Sequence, residues 1–318
     1  MRVGCIGECM VELVERPDGS LTRGFGGDTL NTALYLARLG VPVDYVTAIG
    51  DDPWSTDMVA AWADEGIGLG GVRRLPGRLP GLYLIRTDAR GERSFHYWRD
   101  SSAARDLFAG PDAAPPWTDP ATYDLVYLSG ISLSLYGETG RARLRAILAA
   151  LRGRGGRVAF DTNYRAPGWP DPDAARRAFR ETLAEADLIF TSADDLQALF
   201  GPTGLDEVLR HRGRAEIVLR EMPAGKAMAR VFHGTGEARL PADPVEAILD
   251  TTAAGDSFAA AYLAARLAGS TPLEALRDGH RLAGTVIRHR GAVIPRAAMP
   301  DFGVGRRRGR IPPDGQGI

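Results

Sequence analysis

Residues 28–49 read DTLNTALYLARLGVPVDYVTAI. Apolar side chains at 30, 33, 34 and 37 make the stripe of a helix over 28–39, and Gly40 ends it. A strand-like apolar run follows over 43–49. Upstream, 2–7 reads as a strand ending in glycine, and 9–14 alternates like a second strand. Downstream, Asp51-Asp52-Pro53 opens another helix through residue 63. The same order returns later, with strands at 123–128, 157–160, 188–191 and 216–219. Helices are expected at 141–151, 173–184, 195–200, 255–268 and 273–289. Strands alternating with helices predict a three-layer αβα protein with a mostly parallel central sheet covered on both faces. Ligands of such folds gather beyond the carboxyl ends of the strands. Two runs, 82–87 and 93–98, break the alternation and read as a hairpin around 88–92. With 9–14 they are expected to form a small sheet apart from the main one.

The chain of 318 residues is 44% hydrophobic and 25% charged, ample apolar material for such a core. A net charge of -1 gives no electrostatic case for a nucleic-acid or membrane partner. Lys226 is the only lysine among 39 basic residues. That excludes a Walker A loop, because Gly225-Lys226 is followed by Ala227 and lacks the earlier glycine. It also excludes a protein-kinase strand lysine, and a Schiff-base enzyme would have to rest on Lys226 alone. Cys5 and Cys9 make neither a disulfide framework nor a complete metal site, which fits a reducing compartment. Glu8 and Glu12 interrupt the only early apolar stretch, so no signal peptide is expected, and the run 258–265 is too short to span a bilayer. These features predict a cytoplasmic protein. The arginine- and proline-rich stretch 303–318 reads as a disordered tail.

The strongest chemical signal is Asp250-Thr251-Thr252-Ala253-Ala254-Gly255-Asp256-Ser257-Phe258. Small residues at a helix start let backbone N–H groups approach an anion, and the helix dipole adds positive charge there. Asp256 falls in the first turn, beside whatever anion binds. It serves there either as a general base or merely as a favourable charge on the dipole.

This segment resembles the C-terminal signature of the ribokinase-like (PfkB) carbohydrate kinases. Gly26-Gly27-Asp28-Thr29-Leu30-Asn31 is similar to that family's sugar-binding segment. Within the family the likeness narrows to kinases of 2-keto-3-deoxygluconate. It rests on Gly7-Glu8-Cys9-Met10, Leu79-Pro80-Gly81-Leu82-Tyr83, Tyr97-Trp98-Arg99, Asn163-Tyr164-Arg165 and Arg290-Gly291-Ala292-Val293-Ile294-Pro295. The resemblance implies a ribokinase-like domain over 1–302, with lid strands inserted at about 9–25 and 79–99. It implies Asp256 as the base that takes the proton of the attacking hydroxyl, and the backbone of Ala253, Ala254, Gly255 and Asp256 as an anion hole. Gly26, Gly27, Asn31, Tyr97, Arg99 and Arg165 match substrate-contacting positions. Asp28 either contacts substrate or caps its helix. Asn163, Arg165, Arg220, Gly225 and His280 fall on the nucleotide side, although His280 also reads as a helical surface histidine. ATP and Mg²⁺ are implied, with no protein metal cage, and a monovalent cation beside the anion hole is a further expectation. The lid sheet is expected to carry a homo-oligomer contact.

Two positions depart from the family. The nucleotide strand usually continues Lys-x-Gly-x-x-Gly, whereas Arg220-Glu221-Met222-Pro223-Ala224-Gly225 keeps only the last glycine. Ala253 stands where many relatives have glycine. A kinase for a neutral ketose or pentose is the rival of the same class, and a sugar-binding sensor without catalysis the rival of another. A Rossmann dehydrogenase would need a Gly-x-Gly-x-x-Gly after the first strand, which is missing.

Overall fold

A computed structural model describes residues 1–87, 93–110, 122–211 and 213–302. The chain runs β1 (Val3–Ile6), β2 (Met10–Glu15), β3 (Leu21–Gly26), α1 (Asp28–Arg38), β4 (Val43–Ile49), α2 (Pro53–Asp64) and β5 (Gly68–Arg74). It continues through β6 (Leu82–Thr87), β7 (Arg93–Trp98), β8 (Leu125–Ser129), α3 (Gly130–Leu135), α4 (Gly137–Arg152), β9 (Arg157–Asp161) and α5 (Pro172–Glu185). Next come β10 (Leu188–Ser192), α6 (Ala193–Phe200), α7 (Gly204–His211) and β11 (Glu216–Glu221). The last elements are β12 (Met228–His233), β13 (Gly236–Pro241), α8 (Ala254–Leu267) and α9 (Pro272–Val286).

Among the described residues the strands form two sheets. The larger has nine strands in the order β13-β12-β11-β10-β9-β8-β1-β4-β5. It is parallel from β11 to β5, while β12 and β13 add on as an antiparallel edge. The smaller sheet has four strands, β3-β2-β6-β7, with β2 and β6 parallel. The β6–β7 pairing joins the two expected runs antiparallel, and the connecting residues 88–92 lie outside the described set, as does the stretch 303–318.

The helices begin where their sequences say they should. Asp52 caps α2 by accepting from the N–H groups of Trp54 and Ser55, with Pro53 at the first helical position. Thr271 and Glu274 close a capping box at α9. Helix α8 is buried almost all round, from Ser257 through Leu263, because it packs between the sheet, α1 and α9. Cys5 and Cys9 are both buried free thiols, ordinary members of the core. No helix among the described residues is long and apolar enough to cross a membrane.

Six elements lie beyond those expected from the sequence: β3, β5, β12, β13, α3 and α7. β3 and β13 are half exposed, and β5 carries three glycines, so none shows a buried apolar run. α3 spans only six residues, too few for a helical stripe.

Candidate active site

A cleft of about 1660 Å³ opens between the carboxyl ends of the parallel strands and the inner face of the small sheet. Its floor is the start of α8. Ala253 takes a left-handed conformation, φ 59 and ψ 14, ahead of the first helical turn. Such a backbone costs an alanine about 1–2 kcal/mol, and strain of this kind concentrates at functional sites. The first helical bond runs from Ser257 N–H to the Ala253 carbonyl at 2.9 Å. The N–H groups of Gly255 and Asp256 precede it and have no helical acceptor, and no side chain caps this end. They are therefore free to meet an anion. The turn before them is held by Asp250. Its Oδ1 accepts from Thr252 N–H and Oγ1, and its Oδ2 accepts from Gly291 N–H at 2.7 Å.

The Asp256 carboxylate lines the cleft and accepts from Asn31 Nδ2 at 2.8 Å. Burial, reinforced by the nearby charge of Asp28, pushes its carboxyl up to about 8, with the Asn31 hydrogen bond opposing. Next to it stands Arg220. A Cβ on Gly255 would lie 2.6 Å from Arg220 Nη1, so only glycine lets the guanidinium rest against the helix start. Arg220 Nη2 donates to both oxygens of buried Asp161, at 3.0 and 3.1 Å. Burial pushes Asp161 up to about 6, with the Arg220 charge opposing. Burial works against the Arg220 cation, but Asp161 and its neighbours outweigh it and hold the guanidinium charged.

The opposite wall gathers the positions expected to contact substrate. Gly27 precedes α1 so tightly that a Cβ would sit 2.1 Å from the Glu8 carbonyl. Asp28 both satisfies a first-turn N–H, that of Thr29, and accepts from Asn163 Nδ2 at 2.8 Å. Asn163 is held at a positive φ of 25. Tyr97 lies on the inner wall with Tyr83, ring centroids 5.8 Å apart. Arg99 reaches the same wall, its Nη2 paired with the buried Glu8 carboxylate. Arg165 is 60% exposed at the cleft edge, 3.5 Å from Asp195.

The structure thus brings together Gly26, Gly27, Asp28, Asn31, Tyr97, Arg99, Asn163, Arg165, Arg220 and the 253–256 backbone. It leaves Gly225 and His280 outside the lining of this cleft. Gly225 ends a turn at φ 75, and His280 Nε2 faces the Leu240 carbonyl at 3.0 Å while its ring packs edge-on to Phe258. Glu8, Tyr83, Asp161 and Asp195 also line the cleft, and sequence reasoning assigned them no role. Two clues were present: Tyr83 stands in one of the family-like blocks, and Asp161 ends a strand two residues before Asn163.

Comparison with known proteins shows the family and the fold. The model described as "pfkB family carbohydrate kinase" matches residues 2–298. The 2-dehydro-3-deoxygluconokinase of Dickeya dadantii is 45% identical over 307 residues, covering 94% of this chain and 98% of that protein. The enzyme of the same name from Escherichia coli K12 is 41% identical, covering 94% and 99%. Among solved structures, 2-dehydro-3-deoxygluconokinase from Thermotoga maritima superposes with a TM-score of 0.79 at 22% identity, covering 92% and 96% of the two chains. Fructokinase from Xylella fastidiosa with bound ATP also reaches 0.79, at 21% identity and covering 94% and 95%. At such identities the structural likeness speaks for the fold.

Proposed function

The chain belongs to the pfkB family of carbohydrate kinases, and from that premise we propose that it transfers the terminal phosphoryl group of ATP to the 6-hydroxyl of 2-keto-3-deoxygluconate. The observation that carries the reading is one floor holding Asp256, two unclaimed helix N–H groups and Arg220, facing a wall with Arg99. Relatives named 2-dehydro-3-deoxygluconokinase, alike along nearly the whole chain, supply the sugar acid.

In this reading the sugar oxygen forms its bond to phosphorus as the bond from phosphorus to the ADP oxygen breaks, and the hydroxyl proton passes to Asp256. Phosphoryl transfer is largely dissociative, so positioning and charge stabilisation dominate. The Gly255 and Asp256 amides and the Arg220 cation receive the charge on the transferring group. Mg²⁺ suits the residues present only as an ion carried on the nucleotide. Among the described residues no three His, Cys, Asp or Glu side chains are placed to hold a metal, which leaves phosphate and water oxygens as its ligands and Asp195 as the carboxylate of the nearby wall. When bound, it neutralises charge on the phosphates. The small sheet closes over the sugar and excludes water, which keeps ATP from wasteful hydrolysis. Its edge strand β7 exposes Trp98 on the face opposite the cleft-lining Phe95 and Tyr97, an apolar residue suited to self-association.

An ATP-consumption assay comparing 2-keto-3-deoxygluconate, fructose, ribose and gluconate tests the reading. The first should turn over fastest, and faster turnover of a neutral sugar would overturn the substrate. Arg99→Ala should mainly raise KM for the sugar acid, because the contact binds ground state and transition state alike. Separate measurement of kcat and KM checks this.

A further inference from the structure

The cleft has a second limb that the proposed transfer does not use. Its lining comes from α3, α4, α5 and the connection before α5, not from α8 or the small sheet. Arg141 and Arg145 stand one turn apart on α4, and Arg177 and Glu181 one turn apart on α5, all four in the lining. Arg145 and Glu181 form an ion pair between the two helices. Arg141 and Arg177 have no carboxylate within ion-pair distance among the described residues. Other arginines of the same helices do: Arg152 holds Glu185, Arg176 holds Asp173 and Arg180 holds Glu207. The Arg141 guanidinium lies instead over the Trp169 ring, 5.3 Å from its centroid. Trp169, 8% exposed and also in the lining, is set edge-on against Phe179. Its buried Nε1 finds no acceptor among the described residues.

Gathering these cations is costly. Burial works against the Arg141 charge, and Arg145 and Arg177 push the same way, with Glu138 opposing. Glu138 is exposed and screened by water. Glu181 is committed to Arg145, and Asp171 accepts from the Ala174 N–H as the cap of α5. Donors therefore outnumber acceptors in this limb, and an anion would relieve the crowding. A guanidinium lying on an indole keeps its N–H edge free for an oxyanion. One such fork satisfies a carboxylate. Two forks from two helices match a phosphoryl group, with its three oxygens and nearly two charges. We propose that this limb is a second anion site, in which Arg141 and Arg177 hold a phosphoryl group from α4 and α5, carried by a small phosphate monoester or free as inorganic phosphate. The site goes beyond the transfer reaction and does not rest on which sugar is phosphorylated.

Calorimetry on the full-length protein tests the site, with glucose 6-phosphate and inorganic phosphate as probes. Mg²⁺, a non-hydrolysable ATP analogue and 2-keto-3-deoxygluconate are present at saturation, so that the anion hole and the sugar wall are filled. A single probe molecule should bind per chain, with a dissociation constant of about 1 mM or tighter. Arg141→Met and Arg177→Met should each raise that constant about tenfold, the loss of one contact to a charged group. kcat and both KM values should stay within about twofold. Arg177 is exposed, so its variant keeps the fold whatever Arg141→Met does. Similar constants for the two probes would make the phosphoryl group the whole ligand, and a tighter glucose 6-phosphate would add its sugar. Absence of binding, binding that neither variant weakens, or equal binding of uncharged glucose would overturn the proposal.

Discussion

Asp256→Asn should lower kcat by about 10² or more, the loss expected when a general base is removed. The substitution keeps the size of the side chain and an oxygen that can still accept from Asn31, so the sugar should bind nearly as before. The pH profile should carry the same signature. Burial pushes the Asp256 carboxyl up to about 8, so the base form is depleted as pH falls below that value. kcat/KM of the unsubstituted protein should therefore decline on the acid side with an inflection far above an ordinary carboxylate's, near 3.9. The variant's residual activity should lack that inflection. Stability should move the opposite way. The folded protein holds a proton that the unfolded chain has released between about pH 4 and 8, so folding weakens as pH rises through this window. Asparagine removes the penalty, and its Tm advantage should grow from about pH 4 to 8 and then level off. A Tm advantage that does not change with pH would show that the carboxyl titrates normally.

Arg220→Met should be the most damaging change outside the base. It strips the cationic partner from Asp161, a carboxylate that is 2% exposed, and breaking a buried pair typically costs about 3–5 kcal/mol. It also removes a cation from the place where phosphoryl charge develops, where one such contact is worth about 10²–10³ in kcat. The two effects separate in the double variant. Asp161→Asn combined with Arg220→Met leaves no lone buried charge, so Tm should recover most of its loss while kcat stays low. Arg220→Lys should keep part of the activity, since an ammonium preserves the charge but cannot serve Asp161, the Thr191 carbonyl and the start of α8 from three separate nitrogens. Recovery of kcat in the double variant would confine Arg220 to a structural role.

The period of residues 28–49 was enough for α1 and β4, because a helix buried on one stripe and a fully buried strand leave different spacings in the chain. The same held for α2, whose cap is spelled out by Asp52 and Pro53. Strands β12 and β13 escaped notice because an antiparallel edge half open to water has no such run. At the site, Gly27, Asn31, Asp256 and the small residues of 253–255 were legible because each stands inside a compact local pattern. The pairs Asp161–Arg220 and Glu8–Arg99 were not, since their members lie 59 and 91 positions apart and only folding introduces them. Arg220 was expected at the nucleotide, yet nothing local says that it leans on Asp161. His280 illustrates the converse: a plausible position along a helix, but a ring committed to Phe258 and the Leu240 carbonyl.

Strand β1 ends at Ile6 and β2 begins at Met10, while β3 ends at Gly26 and α1 begins at Asp28. The first two tethers joining the small sheet to the large one are therefore three residues and one residue long. They contain Glu8 and Gly27, which touch each other through backbone and line the cleft. Hinge and binding wall are the same few atoms. A rotation of the small sheet cannot be absorbed in slack chain and must turn the sugar contacts with it. In the proposed reaction closure and recognition then form one mechanical event: only a sugar that seats well on these residues draws the cover shut and puts water out of reach of the phosphoryl group.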